Sequence, residues 1–181
     1  MEAHGSKEAA VLIAIYDHAR APGIVFTERR RDLPRHPGEI SFPGGKPHAG
    51  EELVDAALRE SHEEIALHPG EVEIVGALPP VSTVVTGYKV SPFVGLIRSG
   101  LPLSPDPAEV ERLVELRIDD LLAGFEMRRM VRRGIPFRSP TYTVGDDFIW
   151  GATARILQDF LARIESLALA GPSTEPARRR S

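Results

Sequence analysis

Arg59, Glu60, Glu63 and Glu64 stand within six consecutive positions of a segment with helical periodicity. At about 100° per residue, Glu64 lies roughly 40° to one side of Glu60 and Glu63 roughly 60° to the other, so the three carboxylates project from one narrow arc. Such an arc costs a helix about 0.2 to 0.5 kcal/mol for each like-charged pair three or four residues apart, and Arg59, four residues before Glu63, is the local relief. A hard divalent cation such as Mg²⁺ or Mn²⁺ would relieve the rest. It takes oxygen ligands and keeps waters that a phosphate substrate can replace. For an isolated Glu-Glu pair a solvated acidic face is the ordinary reading. Here the surrounding spacing argues for chemistry.

Side chains of this kind need a rigid scaffold. Residues 10–16 and 24–27 are short apolar stretches separated by Ala21-Pro22-Gly23, which predicts two strands and a possible hairpin. Ile40-Ser41-Phe42 alternates and stops at Pro43-Gly44-Gly45, after which Val54, Leu58, Ser61 and Ile65 fall at helical spacing and predict the stripe that packs on the sheet. Further strands are expected at 72–78, 89–97, 112–118 and 137–144, with Pro92 marking an edge, a bulge or a strand start. Residues 119–122 read as a short helix and 153–170 as a terminal helix stopped by Gly171-Pro172, with Trp150 packing at its base. Strands interspersed with two main helices suggest an α/β/α sandwich around a mixed sheet.

The segment from Gly45 to Leu67 resembles the Nudix box: Gly, five residues, Glu, seven residues, Arg-Glu, an apolar residue, any residue, Glu-Glu, any residue, Gly and an apolar residue. Gly45, Glu51, Arg59, Glu60, Glu63, Glu64 and Leu67 fall into register. Ser61 stands at the apolar position. Ala66 replaces the helix-ending glycine and leaves the shape of that end open, since alanine lacks glycine's freedom at positive φ. The resemblance implies an α/β fold of the Nudix-type α/β/α sandwich, with one hydrolase domain over residues 1–171 and a disordered basic tail over 172–181. It implies that Glu60, Glu63 and Glu64 hold Mg²⁺ or Mn²⁺, that Arg59 orients them and that Glu51 braces Arg59 from the first turn. Glu109, after a Pro-rich loop, matches a further glutamate of the family and is expected near the site as ligand or base.

Residues 25–45 resemble the signature of coenzyme A diphosphatases within that superfamily: an apolar pair, Thr27, Arg29, a basic stretch, then Gly38 and Phe42-Pro43-Gly44-Gly45. Arg30, Glu39 and the one-residue displacement of Arg35 depart from it. The resemblance continues through 78–95 and 149–157. It implies a coenzyme A substrate cut to 3′,5′-ADP and 4′-phosphopantetheine, with Arg29, Arg31 and Arg35 facing phosphate oxygens, for which guanidinium is the natural fork. Gly44 and Gly45 would let backbone approach a phosphate or offer a carbonyl to the cation. Tyr88 and Phe93 are candidates for contact with adenine or the pantetheine arm. A Nudix enzyme for ADP-ribose, dinucleotides or nucleoside triphosphates, and a non-catalytic nucleotide sensor, are the competing readings.

Composition narrows the classes further. A chain of 181 residues with 42% hydrophobic content can bury one sizeable core. It has no cysteine, so neither a disulfide framework nor a thiolate metal site is available. A formal net charge of −4 argues against a nucleic-acid partner, despite the local Arg178-Arg179-Arg180. Residues 1–8 lack the pattern of a signal peptide and no apolar run approaches a membrane span, so a cytoplasmic location with a small-molecule partner and no membrane is expected. His36, His48, His62 and His68 do not have zinc spacing, and no P-loop, dinucleotide fingerprint or Gly-x-Ser-x-Gly elbow occurs.

Overall fold

The computed structural model describes residues 7–17, 21–83, 87–132 and 134–170. In chain order these form β1 (Lys7–Tyr16), β2 (Gly23–Arg29), β3 (Ile40–Ser41), β4 (Gly44–Gly45), α1 (Leu53–Ile65), β5 (Val72–Ala77), β6 (Val81–Ser82) and β7 (Tyr88–Ile97). Then follow β8 (Val110–Arg117), α2 (Ile118–Ala123), β9 (Phe125–Arg132), β10 (Ile135–Val144), β11 (Asp147–Ile149) and α3 (Gly151–Ala170). The expected tail at 172–181, its arginines and the Gly171-Pro172 stop lie outside the described residues.

The main sheet runs β3-β2-β1-β7-β5, with β4 also on β1, β6 on β7 and β8 on β2. β1 and β7 are parallel and the other pairs antiparallel, so the sheet is mixed. Alternation along β1 explains the layers. Ala10, Leu12 and Ala14 face one side and pack with Ala56, Ala57 and Ile65 of α1. Ile13 faces the other and joins Ile156, Leu157, Phe160 and Leu161 of α3. The architecture is the expected α/β/α sandwich, and a smaller sheet, β11-β10-β9, adjoins it.

Several local features differ from expectation. The buried stripe of α1 is Ala56, Ala57, Ser61 and Ile65, while Val54 and Leu58 are only half-buried. Two alanines let the helix sit close to the sheet. Ser61 is fully buried because its Oγ donates to the Ala57 carbonyl at 2.7 Å, which satisfies the hydroxyl inside an apolar position. Ala66 takes the left-handed conformation at φ 56 and donates its N–H to the His62 carbonyl, so the helix ends as it would with glycine, at some backbone strain. Pro92 lies inside a central strand. Its missing N–H falls in the gap between β5 and β6, which pair with Phe93 and Val90 on either side of it. β9 escapes sequence reading because the Arg128-Arg129 doublet breaks the alternation, although it pairs along its whole length with β10. Trp150 precedes α3 but remains 42% exposed and does not seal its base.

The strand β4 is where packing constrains sequence most. A Cβ on Gly44, whose φ is +152, would overlap the Ala10 carbonyl oxygen and stand 2.6 Å from Val11 Cα. Gly50 also has positive φ, but a Cβ there meets nothing within 4 Å. Gly44→Ala is therefore expected to lower the melting temperature by several degrees more than Gly50→Ala, because it adds a backbone collision to the strain of a single residue. Equal shifts in thermal denaturation would show that β4 can move away from β1 freely.

Candidate active site

The short strand β4 pairs Gly45 with Ala10 and Gly44 with Val11, and its other side runs along α1. A Cβ on Gly45 would stand 2.6 Å from Glu60 Oε2. Glycine is thus required there for the carboxylate to rest on the backbone. The neighbouring Gly44 N–H donates to Glu64 Oε2 at 3.1 Å. The loop after β7 completes the scaffold: Ser104 and Asp106 donate their N–H groups to the Ile65 and Glu64 carbonyls at 3.0 and 2.8 Å. Those bonds satisfy helix-end acceptors that would otherwise be orphaned. They also deliver Glu109, a few residues further on.

Arg59 is the hub. Its Nε and Nη2 donate to the two oxygens of Glu51 at 2.8 and 3.1 Å, and Nη2 also donates to the Lys46 carbonyl at 2.9 Å. Its Nη1 donates to Glu60 at 2.9 Å and to Glu63 at 3.3 Å. Glu51 brace and guanidinium form a bidentate pair, the strongest geometry available to these groups. Arg59 first, and the His48 backbone N–H second, hold the Glu51 carboxyl down to about 2. Glu51 sits just before the N-cap Glu52 rather than in the first turn, so its role is the fork with Arg59 more than the helix dipole.

Glu64 has the opposite electrostatics. Burial pushes its carboxyl up to about 8, the Gly44 N–H opposes that, Glu60 and Glu109 raise it further, and Arg29 lowers it. Three acids and one arginine therefore share a field at the edge of the sheet. Arg29 Nη1 lies 3.5 Å from Glu109 Oε2, and its Nε donates to the Arg35 carbonyl at 2.8 Å. Arg30 ties the same loop to the Pro107 carbonyl and Asp32.

The arc inferred from helical spacing is split in the folded chain. Glu60 and Glu63 turn toward Arg59 while Glu64 turns toward Gly44, and among the described residues no set of acids or imidazoles already stands in position to hold an ion. The donor chemistry still fits a hard divalent cation. Carboxylate oxygens are offered, and burial together with the charges of Glu60 and Glu109 raises the Glu64 carboxyl to about 8, a cost of ionisation that a bound cation would offset. Glu63 is 57% exposed and is held by one hydrogen bond, from Arg59 at 3.3 Å.

Of the other expected residues, Gly44, Gly45, Glu109 and Arg29 join this group. Arg31 does not: it turns back to Glu28 at 3.3 Å. Arg35 and Tyr88 line an adjoining cavity together with Lys7 and Lys46. Phe93 is half-buried and packs against the core on the α1 side. Sequence reading missed Lys46, although it follows Gly45 directly, and Lys7, which only the parallel β1/β7 register sets beside Tyr88. It also missed Glu28, buried in β2 and neutralised by Arg112 Nε at 2.7 Å. No motif marks that pair, which is structural.

Comparison with known proteins agrees with this geometry. A NUDIX domain model matches residues 6–133. The Enterobacter sp. (strain 638) protein named uncharacterized Nudix hydrolase NudL is 37% identical over 161 residues, covering 87% of this chain and 83% of that protein. The fold is similar to a C. elegans Ap4A hydrolase binary complex, with TM-score 0.60 and 15% identity over 89% of this chain and 99% of that one. It is also similar to the NUDIX domain of Shewanella oneidensis NrtR complexed with ADP ribose, with TM-score 0.61 and 14% identity over 90% of each chain.

Glu64→Gln is expected to keep the fold and to lower kcat on a diphosphate substrate by at least about a hundredfold, the scale of one lost electrostatic contribution to a transition state. Its effect on stability has a definite sign. The folded carboxyl is raised from 4.5 to about 8, so its stabilising contribution is complete below the lower value and is lost as pH rises through the upper one. With chelator present, the melting temperature should fall between pH 6 and pH 8.5 more in the parent than in Glu64→Gln. Parallel melting curves together with near-normal turnover would remove Glu64 from the site.

Proposed function

The chain belongs to the Nudix domain family, hydrolases of pyrophosphate bonds in nucleotide-like substrates, and on that premise we propose that it cleaves coenzyme A and its thioesters to 3′,5′-ADP and 4′-phosphopantetheine. The observation that carries the reading is the loop between β2 and β3. It resembles the coenzyme A-type signature, with Arg29 at Glu109, and its Arg35 lines one cavity with Lys46, the residue after Gly45. A substrate with three phosphates needs cations on both sides of the scissile bond.

In this mechanism water attacks one phosphorus of the diphosphate, the bridging P–O bond breaks, and the other phosphate leaves with the electron pair. Glu60, Glu63 and Glu64 would hold Mg²⁺ or Mn²⁺, which when bound neutralises charge developing on the phosphate oxygens. Arg59 keeps Glu60 and Glu63 side by side and is itself fixed by Glu51 and the Lys46 carbonyl. The Gly44 N–H holds Glu64 in place. Arg29 offers positive charge beside Glu109, toward the leaving or attacked phosphate. Glu63 and Glu109, the exposed acids of the group, are the candidates to take the proton of the attacking water.

Purified protein with Mg²⁺ or Mn²⁺ should cleave coenzyme A with a higher kcat/KM than ADP-ribose, diadenosine polyphosphates or nucleoside triphosphates, with the two products identified by mass. Faster turnover of ADP-ribose would move it to another Nudix diphosphatase class. Binding without turnover on the whole panel would make it a nucleotide sensor.

A further inference from the structure

Beside the carboxylates, Lys7, Arg35 and Lys46 line a cavity of about 450 Å³ with Glu8, Pro47 and Tyr88. The placement follows from topology. Lys7 and Tyr88 open two parallel strands and are register partners, while Lys46 immediately follows β4. The ammonium groups of Lys46 and Lys7 lie 5.5 and 5.8 Å from the Tyr88 ring centroid. The Tyr88 hydroxyl is held below its ordinary pKa first by Lys46, and further by the charges of Lys7 and Arg35. Three cations therefore face one phenol. None of the three forms an ion pair with an acid among the described residues.

We propose that Lys7, Arg35 and Lys46, gathered around Tyr88, form a receptor for a phosphate monoester carried on the substrate beside its diphosphate. Resting on the substrate reading above, that group is the 3′-phosphate of coenzyme A. Charge selects the ligand class. Three cations against the single carboxylate of Glu8 leave an excess that a dianion matches, whereas a neutral base would have to displace the ammonium groups standing over the ring. Tyr88 thus acts as a platform that holds the lysines and as a hydroxyl donor, not as a stacking partner for adenine.

Position selects the phosphate. The Lys46 carbonyl accepts from Arg59, and the preceding Gly45 lies against Glu60. The receptor and the hydrolytic carboxylates are therefore built on one stretch of backbone. In coenzyme A a single ribose separates the 5′-diphosphate from the 3′-phosphate, which suits adjoining sites. Lys7, Arg35 and Lys46 are exposed, so their replacement leaves the core intact.

The test compares the parent with Lys7→Met/Lys46→Met on coenzyme A and on dephospho-coenzyme A, which has the same scissile bond without the 3′-phosphate. Binding of 3′,5′-ADP and 5′-AMP is measured alongside by calorimetry. The parent should prefer each 3′-phosphorylated ligand by about tenfold to hundredfold, the scale of charge-assisted contacts, and the double variant should lose most of both preferences. Equal use of the two substrates by the parent would overturn the proposal. So would an equal loss on both in the variant, since the lysines would then grip the diphosphate. If coenzyme A is not cleaved but a lysine-dependent preference for 3′,5′-ADP over 5′-AMP persists, the receptor stands and the substrate reading falls.

Discussion

Five acceptor oxygens from four residues converge on the guanidinium of Arg59, and the geometry of the acidic edge depends on that convergence. Without it, Glu60 and Glu63 would repel each other one turn apart on α1, and the turn between β4 and the helix would keep only its internal bonds between His48 and Glu51. The planar, always-charged fork suits this task. A lysine could neutralise the same charge but could not grip both oxygens of Glu51 and a backbone carbonyl in one plane. The bond to the Lys46 carbonyl matters as much as the ion pairs, because it fixes the peptide that leads out of β4. Through that peptide one side chain sets both the carboxylates and the start of the neighbouring cationic cavity.

Glu64 supplies the complementary constraint. Burying a carboxylate beside two others is unfavourable, and the single Gly44 N–H does not offset it, so the Glu64 carboxyl is raised well above the usual carboxylate range. The fold spends packing energy elsewhere to keep this arrangement. Ala10, Leu12, Ala14, Ala56, Ala57 and Ile65 form a close helix–sheet contact directly beneath the acids. Small residues there bring α1 near enough to β1 for Glu60 to lie on Gly45 and for Glu64 to reach Gly44.

Much of this was legible in the chain itself. The helical spacing of Arg59, Glu60, Glu63 and Glu64 marked the acidic cluster on α1, and the apolar run of residues 10–16 and the helical period of 153–170 marked a strand and a helix of the core. What the sequence did not carry was direction and register. Spacing on a helix cannot say that Glu64 accepts from the Gly44 N–H while Glu60 and Glu63 accept from Arg59, since that depends on a strand some twenty residues earlier in the chain. The pairing of Lys7 with Tyr88 comes from a parallel register between strands far apart in sequence. Pro92 inside a central strand was unreadable because its tolerance rests on a gap between two other strands. The strand β9 was hidden by the Arg128-Arg129 doublet, which masks alternation on a surface hairpin.

The central claim is that the Arg59-centred acids form a cation site for diphosphate hydrolysis. Electron paramagnetic resonance of Mn²⁺ titrated into the protein tests it without relying on any substrate. Saturable Mn²⁺ binding is expected, weakening at least about tenfold in the double variant Glu60→Gln/Glu64→Gln while its circular dichroism spectrum is retained. Unchanged Mn²⁺ affinity in a folded double variant would contradict it.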